Sequence, residues 1–195
     1  MPMTISAVIL AGGKSRRMQG QDKGLQLLNG KPLFLHCYNQ LKPQVKQISI
    51  NANRHLEEYK KSGLEVFSDI LDDYQGPLSG ILTALKKSQT EMVLFVPCDC
   101  PKIPLNLKEK LLREIKTDSN LLISYAHDGE RDHPTFCLIS TKIIPDLEIY
   151  LQKGKRKMLD FIHSQPHIVA DFSDEKLTFQ NINTLAELQK LNNHL

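Results

Sequence analysis

The chain has no strong net charge, no long apolar run, no linker-like tract and no closely spaced cysteine knuckle, and each absence removes a class of function. A net charge of +3, from 25 basic and 22 acidic residues spread along 195, is too mild for a nucleic-acid or membrane-surface protein. The apolar run Ile5 to Leu10 is far short of a membrane span, has no basic residue before it and ends in Gly-Gly-Lys. It predicts a buried strand rather than a signal peptide, and a cytosolic protein. No Pro/Gly/Ser tract, compositional shift or repeat divides the sequence, and 41% hydrophobic content is enough for one good core, so a single domain over 1–195 is expected. The four cysteines, at 37, 98, 100 and 137, lie on or beside apolar runs. The only close pair is separated by one residue, too tight for a C-x2-C metal site, so reduced, buried thiols are expected.

Short, partly β-branched runs at Ile5 to Leu10, Ile48 to Ile50, Leu64 to Phe67, Met92 to Val96 and Leu121 to Tyr125 alternate with segments of helical periodicity. That alternation predicts an α/β domain with a mostly parallel sheet. Pro32 introduces a helix carrying Leu33, Leu35, Tyr38 and Leu41, and Gly76-Pro77 introduces one carrying Leu78, Ile81, Leu82 and Leu85. A third is expected on Leu105, Leu107, Leu111, Leu112 and Ile115, and a last one on Leu185, Leu188 and Leu191.

The first strand runs into Leu10-Ala11-Gly12-Gly13-Lys14-Ser15-Arg16-Arg17-Met18, with Asp22-Lys23-Gly24 behind it. Glycines let backbone N–H groups approach a polyanion, and Lys14, Arg17 and Lys23 can neutralise phosphate oxygens, so the segment reads as a triphosphate grip. It is not a Walker A loop, because Val8 stands where that pattern needs its first glycine, nor the dinucleotide G-x-G-x-x-G fingerprint.

In open parallel sheets ligands sit beyond the carboxyl ends of the strands. Four consecutive runs here end at Gly12-Gly13, Asn51, Asp69 and Asp99, delivering a phosphate loop, an amide and two carboxylates to one edge. Any one of them alone would read as a loop residue or a helix cap. Asp99, just past a buried strand, is the candidate metal residue, since Mg2+ takes one or two carboxylates together with phosphate oxygens and water. Asn51 and Asp69 suit a nucleoside, the amide offering donor and acceptor and the carboxylate accepting from ribose hydroxyls or a purine edge.

These blocks, in this order, resemble the nucleotidyltransferases of Rossmann-like fold whose signature loop is L-x-G-G-x-S-x-R-M with a downstream lysine, and within them the molybdenum cofactor guanylyltransferases. The resemblance runs on through Asn51-Ala52-Asn53-Arg54, Gly76-Pro77-Leu78-Ser79-Gly80, Pro97-Cys98-Asp99-Cys100-Pro101, Gly129 to Thr135 and Asn181-Ile182-Asn183-Thr184. Cys100 departs from the Asp-Thr-Pro usual in guanylyl enzymes, while pyrimidine-using relatives carry Asp-Met-Pro.

The resemblance implies a three-layer Rossmann-like nucleotidyltransferase domain with a nucleotide-binding N-terminal half and an acceptor-binding C-terminal half. It further implies transfer of GMP from GTP to the phosphate of Mo-molybdopterin, giving the guanine dinucleotide and pyrophosphate, and transient contact with other cofactor-biosynthesis or acceptor proteins. GTP would be held by Leu10, Ala11, Gly12, Gly13, Lys23, Asn51, Asp69 and Asp99. Lys14, Arg17 and Lys23 would stabilise the departing pyrophosphate and Asp99 would hold Mg2+, with the second metal ligand left open. The acceptor anchors are Arg131 and His133, Asn181 and Asn183, and Arg156 within Lys153 to Lys157. The rivals are transfer of a cytidylyl group or of a nucleotidyl group to a sugar phosphate, and a non-catalytic nucleotide-binding regulator.

Overall fold

The structure, a computed structural model, describes residues 3–12, 22–71 and 76–193. The elements run β1 (Ile5–Leu10), β2 (Leu27–Leu28), β3 (Lys31–Pro32), α1 (Leu33–Leu41), β4 (Ile48–Asn51), α2 (Leu56–Lys60), β5 (Glu65–Phe67) and α3 (Pro77–Lys87). After these come β6 (Met92–Pro97), α4 (Leu107–Ile115), β7 (Ile123–His127), β8 (Asp132–Ser140), α5 (Ile144–Gln152), α6 (Met158–His163), β9 (His167–Asp171) and α7 (Leu185–Asn193). Short 3-10 turns connect several of them.

Seven strands form one sheet in the order β5-β4-β1-β6-β8-β7-β9, parallel except for β8. Its two faces follow from alternation along each strand. In β1, Ala7 and Ile9 face the helices α1 and α4 while Val8 faces α3; in β6, Met92, Leu94 and Val96 take the first side and Val93 and Phe95 the second. The second face is closed by α3, α5 and α6. Fully buried Leu33, Leu41, Ile50, Leu78 and Ile81 each contribute about 1.5–3 kcal/mol by leaving water. The result is the α/β/α layering expected.

The register aligns the carboxyl ends of the first strands: Leu10 pairs with Asn51 and with Pro97, and Asn51 with Phe67. The turn joining β7 to β8 lies on the same edge, because His127 pairs with both Asp132 and Asp171. The segment Asp128 to Thr135 is therefore not one surface loop. It is a tight hairpin turn followed by the first residues of β8, with a bulge at Tyr125/Ala126.

Local signals explain the junctions. Pro77 is the first helical residue of α3, launched by Gly76 at φ 75°, ψ −166°, a conformation open to glycine. Asn29-Gly30, both at positive φ, close the β2–β3 hairpin. Leu28 and Leu33 of this region pack with Ile182 and Leu188, so the C-terminal segment is pinned beside Lys23. Leu105, expected on the third helix, lies before α4 and is two-thirds exposed. Among the described residues no helix is long and apolar enough to cross a membrane.

Candidate active site

Where the strands end, Lys23 is the central cation among the described residues. Its Nζ lies 3.0 Å from Asp99 Oδ2 and donates at 2.9 Å to Asn183 Oδ1. Three segments distant in sequence thus meet: the turn after the signature loop, the end of β6 and the run before α7. Lys14, Arg17 and Gly13 lie outside the described residues.

Asp99 is 9% exposed, and its Oδ1 is buried with no hydrogen-bond partner among the described residues. A buried carboxylate oxygen left unmatched is costly unless something positive completes it, and the donor chemistry fits a hard cation that keeps phosphate and water as its remaining ligands. No cluster of three or more His, Cys, Asp or Glu side chains able to cage a metal occurs among the described residues.

The loop carrying Asp99 is stitched from below and from the side. The Cys37 thiol, on α1, lies 3.2 Å from the carbonyl of Cys100 and 3.5 Å from that of Pro97. The Cys100 thiol faces the carbonyls of Thr178 at 3.4 Å and Gln180 at 3.3 Å, while Ile182 N–H donates to Asp99 O at 2.8 Å. Burial pushes the thiols of Cys37, Cys98, Cys100 and Cys137 up, and all four cysteines are free and buried. They are structural thiols, as the sequence predicts.

Asn51 is 2% exposed and donates from Nδ2 to Asp69 Oδ1 at 2.7 Å. Asp69 N–H in turn donates to Asn53 Oδ1 at 2.9 Å. The Asn51 amide sits in a slot left by two glycines. A Cβ on Gly80 would overlap Asn51 Oδ1, and one on Gly12 would lie 3.4 Å from the same atom. Leu10 O accepts from Cys98 N–H at 3.0 Å and Ala11 N–H donates to Asn51 O at 2.8 Å, so these two backbone groups belong to the sheet.

The acceptor candidates fall into separate places. His133 Nε2 is 2.7 Å from Asp128 Oδ2, and its ring stacks on Phe179 at 4.7 Å. Burial opposes ionisation of Asp128, yet the bonds from His133 and from the N–H groups of Arg131 and Glu130 outweigh it and hold the carboxyl well below the usual range. His133 is thus a braced ring, and Arg131 is exposed at the turn. Asn183 joins Lys23, whereas Asn181 is exposed. Arg156 lies between α5 and α6, two residues ahead of Met158 rather than at the helix start. Its Nη1 donates to Leu151 O at 2.7 Å and Lys155 O at 2.6 Å, tying it to its own connection.

Sequence reasoning gave no role to Asp22, Tyr59 or Gly80. Asp22 had a local signal, an aspartate directly before a short helical turn, where it accepts from Gly24 N–H. Tyr59 had none and Gly80 only its place in the Gly76 to Gly80 block, because their importance lies in what they face across the fold.

Comparison with known proteins agrees with this geometry. The family described as "MobA-like NTP transferase domain" matches residues 7–168. The molybdenum cofactor guanylyltransferase of Histophilus somni strain 2336 is 56% identical over 193 residues, 99% of this chain and 98% of that one. The protein of the same name from Mannheimia succiniciproducens is 57% identical over 188 residues, 96% and 98% of the two chains. Among solved structures, molybdopterin-guanine dinucleotide biosynthesis protein A from Archaeoglobus fulgidus superposes with a TM-score of 0.79 over 97% of both chains at 21% identity, a likeness of fold. The chain belongs to the MobA-like NTP transferase family, in its molybdenum cofactor guanylyltransferase branch.

Proposed function

We propose that this enzyme transfers GMP from GTP to the phosphate of Mo-molybdopterin, releasing pyrophosphate, with the N-terminal half holding GTP and the C-terminal half the acceptor. The observation that carries the reading is the Lys23–Asp99–Asn183 cluster at the carboxyl edge, the edge that also carries the Asn51–Asp69 pair. Its close relatives, more than half identical over nearly the whole chain, are named for this activity.

Nucleotidyl transfer leaves a protein little covalent work, so these residues act by positioning and charge. Lys23, aided by Lys14 and Arg17 of the signature loop, neutralises the outer phosphates and the charge that leaves with pyrophosphate. Asp99 would hold Mg2+, which when bound supplies polarisation of the α-phosphate. The acceptor phosphate is already anionic and needs no general base, which suits a His133 bound to a carboxylate and stacked on a ring. Asp69, oriented by Asn51 and Asn53, meets the nucleoside. Arg131, Asn181 and Arg156 are the acceptor side. For Arg156 this requires its guanidinium to exchange the carbonyls of Leu151 and Lys155 for a phosphate.

The test is calorimetric titration with GTP, ATP and CTP in the presence of Mg2+. GTP binding tighter than the other two by about a hundredfold or more is expected of a site that pairs a base edge. Equal affinities would favour the sugar-nucleotide class of reaction.

A further inference from the structure

Lys23 is set in place from behind. Asp22, next to it in the chain, is only 6% exposed, and its Oδ1 accepts from the Gly24 N–H at 3.1 Å and from the Tyr59 hydroxyl at 2.5 Å. The Asp22 carbonyl accepts from Gln26 Nε2 at 3.0 Å, closing the single 3-10 turn Lys23–Leu25 on itself. Tyr59 has no exposed surface. It comes from the five-residue helix α2 and rests edge-on against Phe34 of α1, with ring centroids 5.0 Å apart. Gly24 is what lets it reach: a Cβ there would run into the Tyr59 hydroxyl. Burial pushes the Tyr59 phenol up, so the hydroxyl keeps its proton at neutral pH and donates.

We propose that Tyr59 is a positioning residue for Lys23, acting through Asp22. The hydroxyl anchors the one carboxylate oxygen that also caps the turn, and the turn aims the Lys23 side chain at Asp99 and Asn183. A lysine stem is flexible, and a fixed base restricts where its ammonium can go when a polyanion arrives. The hydroxyl acts on the turn, not on the ligand. A phenylalanine there would keep the ring packed on Phe34 and remove from Asp22 Oδ1 the bond from the hydroxyl, leaving that from Gly24. This inference rests on the reading that Lys23 grips the outer phosphates of GTP.

A double-mutant cycle tests it: wild type, Tyr59→Phe, Lys23→Ala and the double variant, each titrated calorimetrically with GTP and each melted thermally. Tyr59→Phe is expected to weaken GTP by about threefold to tenfold, and the double variant to bind like Lys23→Ala alone, because a positioning effect vanishes with the group positioned. A Tyr59→Phe variant that binds GTP like wild type overturns the proposal. So does a loss that persists in full without Lys23, which would mean that Tyr59 affects GTP binding by a route other than Lys23. Wild type that binds no GTP, or a Lys23→Ala variant that binds it unchanged, overturns the parent reading and with it the task assigned to Tyr59.

Discussion

Replacing Gly80 by alanine separates helix propensity from site geometry. Gly80 is the fourth residue of α3, where alanine should gain about 0.8–1 kcal/mol over glycine. Against that, the new Cβ would overlap Asn51 Oδ1 and lie 2.9 Å from Asn51 Cγ. Reaching an ordinary separation requires the amide oxygen to retreat by roughly 1 Å or more. The retreat is restricted from the other side, where Gly12 stands so close that a Cβ on it would be 3.4 Å from Oδ1. The bond most exposed to the movement is the 2.7 Å one from Asn51 Nδ2 to Asp69, a charge-assisted contact that contributes on the order of 1.5–3 kcal/mol. The loss exceeds the propensity gain, so Gly80→Ala should destabilise by about 0.5–2 kcal/mol, lowering the melting temperature by a few degrees, about 2–4 °C per kcal/mol for a chain of this size. GTP affinity should fall by about tenfold, since Asp69 loses its orienting partner. Urea denaturation and calorimetry read the two effects. The decisive comparison is the same change in an Asn51→Ala background, where the clash is gone and alanine should be neutral or stabilising. Equal destabilisation in both backgrounds, or unchanged GTP affinity in the single variant, would refute the reasoning.

Three further outcomes follow from the site. Asp99→Asn should keep the fold and most of the nucleotide affinity but lower turnover by about a hundredfold or more, measured in single-turnover assays, as loss of a preorganised charge at the transition state does. Asp128→Asn removes a carboxyl whose folded-state pKa lies below its unfolded value, so its stabilisation is present above about pH 4 and disappears as pH falls through the folded value. The gap in urea midpoint between wild type and this variant should be full at pH 7 and narrow between about pH 4 and 3; a gap that widens on acidification would contradict a lowered carboxyl pKa. The four thiols should resist a disulfide reagent in the native state and react together on unfolding, since burial keeps them protonated; fast native labelling of Cys98 or Cys100 would contradict the packing beneath Asp99.

Much of the nucleotide half was legible because its strands are buried, apolar and bounded by turn residues. β1, β4, β5 and β6 were visible within a residue or two, and the helices α1 and α3 were announced by Pro32 and Gly76-Pro77. β8 was hidden by its polar start, Asp132-His133-Pro134-Thr135, and β9 by its place at the sheet edge, where Val169 is 41% exposed. The β2–β3 hairpin did carry its signal, Asn29-Gly30, but between strands of two residues each that show no alternation. In the site, Asn51, Asp69 and Asp99 could be picked out by chemical type at strand ends, Lys23 as a cation behind the glycine loop and Asn183 through the family resemblance, and the fold brings them into two clusters, Lys23–Asp99–Asn183 and Asn51–Asp69. Tyr59, Gly80 and Cys100 could not, since each matters through a partner far along the chain: Asp22, Asn51 and the carbonyls of Thr178 and Gln180.

The most direct test of the proposed reaction is product formation: the purified protein incubated with Mg2+ and Mo-molybdopterin and, separately, each of the four nucleoside triphosphates, with the mixture resolved by mass spectrometry. The guanine dinucleotide and pyrophosphate are expected from GTP, with no dinucleotide from CTP or ATP at comparable enzyme levels and little product from the Asp99→Asn variant. A cytosine dinucleotide formed as readily would contradict the guanine specificity, and wild-type yield without the Asp99 carboxylate would contradict the role given to Asp99.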